Sequence, residues 1–288
     1  MKKTYNTVLL SLLAGLSQAS FAGDIMQSEA LADFPNPPAD QVISYGEGEL
    51  QFGELRLPSG DGPFATMVLV HGGCWLSEYN LEHLRKLAAA FTDEGIATWL
   101  IEYRRVGDDG GGWTGTFDDA ANGMDKVAEL APEYNLDLER LLVAGHSAGG
   151  HLAIWLANRP SKWGLGVQPS AVLALAPAAD LAYLDEQQVC DNVVEKLVGG
   201  SASDVPERYE LASGINRLPL PVPQYVVLGA YDDDWTPVAK RYVEAALESG
   251  SETYPIAAEE SGHFEMIDPD SSTWPLVLKA AKDALQMN

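Results

Sequence analysis

From about residue 42 onward the chain switches repeatedly between two hydrophobic periods. Glu49 to Leu57 alternates apolar and polar positions, the pattern of a half-buried strand, and Thr66 to Val70 is a short continuous apolar run, the pattern of a strand covered on both faces. The spacing turns helical over about Asn80 to Glu94, and Gly95 supplies a stop signal. The unit then recurs: Ala97 to Glu102, Arg140 to Ala144 and Ala171 to Leu175 read as strands, with Phe117 to Leu130 and Ala148 to Asn158 as helices between them. A stretch over 181–220 breaks this rhythm with helical and Pro-bearing pieces. Beyond it, Tyr225 to Leu228 and Thr253 to Ala257 read as strands, and Val238 to Glu248 and Trp274 to Leu285 as helices. Strands alternating with helices need crossover connections. The expected fold class is therefore α/β, a mainly parallel twisted sheet with helices on both faces, forming one domain over 41–288 with a cap-like insertion at 181–220.

The first residues follow a different logic. Met1-Lys2-Lys3, the apolar run Val8 to Leu16 and the exit Ser20-Phe21-Ala22 have the basic start, apolar middle and small-residue end of a secretory signal peptide, with cleavage expected after Ala22 and a periplasmic or secreted destination. That run is too short to span a bilayer, which takes about 20 residues. Residues 23–40, with Pro35, Pro37 and Pro38, are expected to be a flexible leader. A net charge of -24 makes nucleic acid and anionic lipid surfaces unfavourable partners. Of the two cysteines, Cys74 and Cys190, an oxidising compartment permits pairing, and buried free thiols are the alternative.

Candidate chemistry is concentrated at strand ends. Arg140 to Ala144 leads into Gly145-His146-Ser147-Ala148-Gly149-Gly150, a Gly-x-Ser-x-Gly between strand and helix. A serine on so sharp a turn takes a strained backbone, and the flanking glycines leave room for the close packing around it. The helix N-terminus behind Ser147 favours developing negative charge. Val68-Leu69-Val70 ends at His71-Gly72-Gly73-Cys74-Trp75, where two glycines let backbone N–H groups face a cavity. An N–H from Gly72 or Gly73, together with that of Ala148, is expected to form an oxyanion hole. Trp75 is a candidate wall of the substrate pocket, with a core position as the alternative reading.

A serine hydroxyl needs a histidine to take its proton and a carboxylate to fix the histidine tautomer. His71, His83 and His146 precede the serine and His151 is too near it, which leaves His263, in Ser261-Gly262-His263-Phe264, as the base. The strand ending at Gly229 runs into Asp232-Asp233-Asp234. Asp232 is the preferred acid, with Asp233, Asp234 and the more distant Asp180 as alternatives. A calcium site on the three carboxylates lacks visible further oxygen ligands.

These motifs, in this order, resemble the α/β-hydrolase superfamily, and within it the esterase and kynurenine-formamidase-like branch. The resemblance rests on His71-Gly72-Gly73, Gly145 to Gly150, the Gly-x-x-Asp of Gly229 to Asp232 and Gly262-His263-Phe264, and extends to Glu102-Tyr103-Arg104-Arg105 and Ile267-Asp268-Pro269. Pro237 lies one residue further from Gly229 than that branch's pattern has it, so the choice among the three aspartates stays open. The resemblance implies acyl transfer through a covalent serine intermediate, without metal or organic cofactor, on a small-molecule ester or, alternatively, an amide such as an arylformamide. A catalytically silent binding protein on the same fold is the reading from another class.

Overall fold

A computed structural model describes residues 25–164 and 166–287. The expected signal peptide, 1–22, lies outside the described residues. Eight strands form one sheet in the order β1-β2-β4-β3-β5-β6-β7-β8: β1 Gln41–Ser44, β2 Phe52–Arg56, β3 Phe64–Val70, β4 Ala97–Ile101, β5 Leu136–His146, β6 Ala171–Leu175, β7 Gln224–Gly229 and β8 Thr253–Ala258. β2 pairs antiparallel with β1 and β4, and every pairing from β4 through β3 to β8 is parallel. The expected α/β architecture is therefore the observed one.

Helices cover both faces: α1 Arg85–Asp93, α2 Gly115–Asp125, α3 Val127–Tyr134, α4 Ala148–Ala157, α5 Leu181–Glu186, α6 Val189–Val198, α7 Pro206–Ala212, α8 Thr236–Glu248 and α9 Trp274–Ala284. The period of two along β3 sorts its side chains between them. Val68 and Val70 join a core with Phe117, Leu152, Trp155 and Tyr242, whereas Met67 and Leu69 join the opposite core with Leu87, Phe91, Val277 and Ala281. Both sets are fully buried, which accounts for the unbroken apolar run in the sequence. Crossover connections bring the C-terminal ends of the parallel strands together on one edge, where an open α/β sheet places its ligand sites.

Two segments outside the strand–helix repeat have defined contacts. In 25–40, part of the expected leader, Ser28–Asp33 forms a 3-10 helix, Leu31 packs on the α1/α9 core, Arg56 donates to the Pro37 carbonyl, and the Leu57 N–H donates to Asp40. Prolines signal a chain without regular structure, but side-chain partners from the sheet fix its path. In the 181–220 stretch, α5 to α7 pack on one another and α7 is tied to α4: His151 Nε2 donates to the Ala212 carbonyl (2.8 Å) and Trp155 Nε1 to that of Leu211 (2.9 Å). A disulfide between Cys74 and Cys190, 116 residues apart with Cα atoms 6.4 Å from each other, joins this stretch to the loop after β3. Among the described residues no helix is long and apolar enough to cross a membrane.

Candidate active site

Ser147 stands between β5 and α4 with φ 54° and ψ -117°, a backbone that a non-glycine residue adopts only when its surroundings impose it. Those surroundings are hydrogen bonds: its N–H donates to the Leu175 carbonyl (2.9 Å), and its own carbonyl accepts from His151 and Ala178. The glycines of the pentapeptide are explained by collision. A Cβ on Gly145 would run into the Gly149 carbonyl, and one on Gly149 into the carbonyls of Val70 and His71.

Asp232 lies just beyond β7 and His263 just beyond β8, and the two loops meet. His263 Nδ1 contacts Asp232 Oδ2 at 2.7 Å, and the other Asp232 oxygen accepts from the Trp235 N–H. Asp232 is therefore the aspartate brought to the histidine. Asp233 and Asp234 point to solvent, and Asp180 instead caps α5 through the Tyr183 N–H and pairs with Arg241. With Nδ1 donating to the carboxylate, His263 presents Nε2 as the free base.

His146 links the histidine to the nucleophile turn. Its Nε2–H donates to the His263 carbonyl (2.9 Å), and the two rings are 4.5 Å apart. Burial, with His263 and His83 nearby, holds the His146 ring far below the ordinary histidine range, so it stays neutral. The Ser147 hydroxyl is not hydrogen-bonded to His263 in this geometry. Such contacts are often long until a substrate tightens them.

Opposite, the loop after β3 closes on the serine. A Cβ on Gly72 would sit 2.8 Å from the His146 carbonyl oxygen and 3.2 Å from Ser147 Cβ, and one on Gly73 would overlap Tyr79. Gly73, Cys74 and Trp75 have φ of 102°, 51° and 55°, a consecutive run of positive values. Among the described residues, the Gly72 and Gly73 N–H groups donate to no protein acceptor, and they remain available beside that of Ala148. Trp75 does not wall an open pocket: its side chain is fully buried, edge-on to His151 at 5.3 Å. Its large apolar ring fills the space over α4.

Three features escaped the sequence reading. Trp235 stacks on the His263 ring, 5.2 Å between centroids at 22°. Glu265 accepts from the N–H groups of Gly262 and Met26, tying the start of the described chain to the histidine loop. Glu102 directly follows the wholly buried strand β4 and lies beneath the oxyanion loop. A carboxylate directly after such an apolar run is the one signal a sequence offers for the last of these, because a buried charge requires partners. A cavity of about 830 Å³ lies away from this chemistry, over β8 between α8 and α9, lined by Leu228, Tyr254, Ile256, Leu276 and Ala280.

The chain and its fold are similar to those of known proteins. The chain is 31% identical over 160 residues to Esterase LipU of Mycobacterium tuberculosis, an alignment covering 55% of this chain and 47% of that protein, so it spans about half of its curated relative's length. Among solved structures, Esterase B from Lactobacillus Rhamnosis superposes with a TM-score of 0.73 at 17% identity over 90% of both chains. The thermophilic esterase Est2 of Thermogutta terrifontis does so with 0.72 at 19%, over 88% of this chain and 96% of its own. Residues 54–241, well over half of the chain, match the BD-FAE family model, and this protein is a member of the BD-FAE family within the α/β-hydrolase superfamily.

Proposed function

We propose that this protein is a serine hydrolase that cleaves carboxylic esters of small or medium size through an acyl-enzyme. The Asp232–His263 contact at the edge of the Ser147 turn carries the reading. His263 Nε2 takes the Ser147 proton as Oγ attacks the ester carbonyl, and the N–H groups of Ala148 and of Gly72 or Gly73 receive the developing oxyanion. As the tetrahedral intermediate collapses, the alcohol leaves with the proton from His263. Water activated by the same ring then releases the acid and restores the serine.

The similar solved proteins support small acyl groups: Est2 has been seen with propionate and with butyrate bound, and Esterase B as a phosphonate-inhibited form. The Cys74–Cys190 bridge supports work in an oxidising compartment, the periplasm or outside the cell, in keeping with the signal-like start of the chain. The test is mass spectrometry after a fluorophosphonate probe, beside turnover of p-nitrophenyl acetate and butyrate. A single adduct on Ser147 with ester turnover is expected. A folded sample without an adduct would overturn the reading.

A further inference from the structure

Beneath the oxyanion loop lies a cluster of charged side chains that the acyl-transfer scheme does not use. His71, fully buried, has an oxygen at each ring nitrogen: Nδ1 is 2.8 Å from the Gly72 carbonyl and Nε2 is 2.8 Å from Glu102 Oε1. A carbonyl and a carboxylate can only accept, so both contacts are hydrogen bonds only if both nitrogens carry protons. Glu102 is well supplied with donors. Oε1 also receives the Tyr103 N–H and lies 3.3 Å from Arg105, and Oε2 receives the Leu81 N–H. Burial alone would raise the Glu102 carboxyl, but the His71 ring, Arg105 and the Tyr103 N–H more than offset this and hold it below the usual carboxylate range. Arg105 is shared with Asp108. Two carboxylates thus share one guanidinium, and the His71 ring is the remaining donor at Glu102 Oε1. Tyr103 stacks flat on the ring at 4.2 Å, and His83 lies edge-on at 5.8 Å, its own ring pushed down to about 3 by burial first and by the neighbouring His71 second.

We infer that His71 is a positioning residue held as an imidazolium, and that it orients and polarises the Gly72–Gly73 peptide so that the Gly73 N–H serves as the oxyanion donor. The carbonyl of Gly72 and the N–H of Gly73 belong to one planar trans amide and point in opposite directions. Fixing the carbonyl on the buried cation therefore aims the N–H the other way, and Gly72 itself abuts Ser147. A charge-assisted hydrogen bond at the oxygen also draws electrons from the amide and strengthens its N–H as a donor. The inference rests on the serine-hydrolase reading for its catalytic meaning, and the charge state of the ring stands apart from it.

The test combines nitrogen NMR of the intact protein, labelled with ¹⁵N-histidine, with kinetics of two variants. Two protonated ring nitrogens on His71 are expected at pH 8, and a ring with one bare nitrogen would overturn the inference. His71→Asn keeps a neutral donor near the Gly72 carbonyl, and Glu102→Gln keeps an acceptor while removing the counter-charge. Both are expected to lower kcat about 10- to 100-fold with KM within about twofold, since the lost interaction serves the transition state. A folded His71→Asn enzyme with wild-type kcat would also overturn it. Absence of wild-type turnover and of a Ser147 adduct would instead sink the esterase reading, and the nitrogen signals would still decide the charge on the ring.

Discussion

On the oxyanion side of the site, the loop after β3 is held by His71, by the Tyr103 hydroxyl on the His71 carbonyl, by Arg105 on the Tyr79 carbonyl and by a disulfide. On the acid–base side, the loops after β7 and β8 meet through the Asp232–His263 contact and the Tyr231 N–H on the Ser261 carbonyl, with Trp235 lying against the ring and His146 on the His263 carbonyl. The difference follows from what each side must do. Consecutive residues at positive φ relax unless several contacts oppose them, so a strained donor loop needs redundant anchors. A histidine that picks up and returns a proton needs one well-placed carboxylate to fix its tautomer.

The largest effects are expected where the groups that move the proton are themselves removed. His263→Ala and Ser147→Ala are each expected to lower kcat for p-nitrophenyl acetate by roughly 10⁴- to 10⁶-fold, and Asp232→Asn by about 10⁴-fold. Asp233→Asn and Asp234→Asn should stay within about twofold, and a large loss at either would move the acid away from Asp232.

Next comes the donor loop itself. Gly72→Ala puts a methyl against Ser147 and the His146 carbonyl, and a fall in kcat of about 10²- to 10³-fold is expected, the scale of losing one oxyanion donor. If acetate and butyrate turnover survived intact, the loop would not be the oxyanion hole. Removing the disulfide with Cys74→Ser and Cys190→Ser takes one anchor of several. The long loop it closes sets an expected loss of about 2–5 kcal/mol in urea unfolding. The remaining anchors should keep most of the activity, and near-total inactivation of a folded double variant would show that they do not suffice.

Acid sharpens the contrast more gently. Burial keeps His83 at about 3 and His151 at about 4, both below the unfolded value of about 6.5. The unfolded chain therefore binds more protons over that window, and stability falls as pH drops from about 6.5 towards 4. His151→Gln retains a donor for the Ala212 carbonyl and should remove on the order of 3 kcal/mol of that dependence, read from urea midpoints at pH 7 and 4.5. An unchanged pH dependence would mean that His151 charges in the folded state.

The strands, the nucleophile turn and the order of serine, acid and histidine were legible in the chain because each depends on neighbours within a few residues. A period of two or 3.6 reflects which face is buried, and Gly145 is required by the Gly149 carbonyl that its own turn brings close, whereas Gly149 answers to the carbonyls of Val70 and His71 at the end of the neighbouring strand. The boundaries of β5 were less so, since Asp137, Glu139 and Arg140 hide the strand's first half from any apolar pattern. Packing between distant segments decided the rest. It took the approach of β7 and β8 to choose Asp232 over two adjacent carboxylates, and the seating of α6 against the loop after β3 to pair Cys74 with Cys190. It took the neighbouring strands β3 and β4 to set Glu102 under His71, 31 residues away. Trp75 went to the core instead of a pocket wall for the same reason. Side-chain identity sets what a residue can do, and only contacts across the fold select which of several able residues does it.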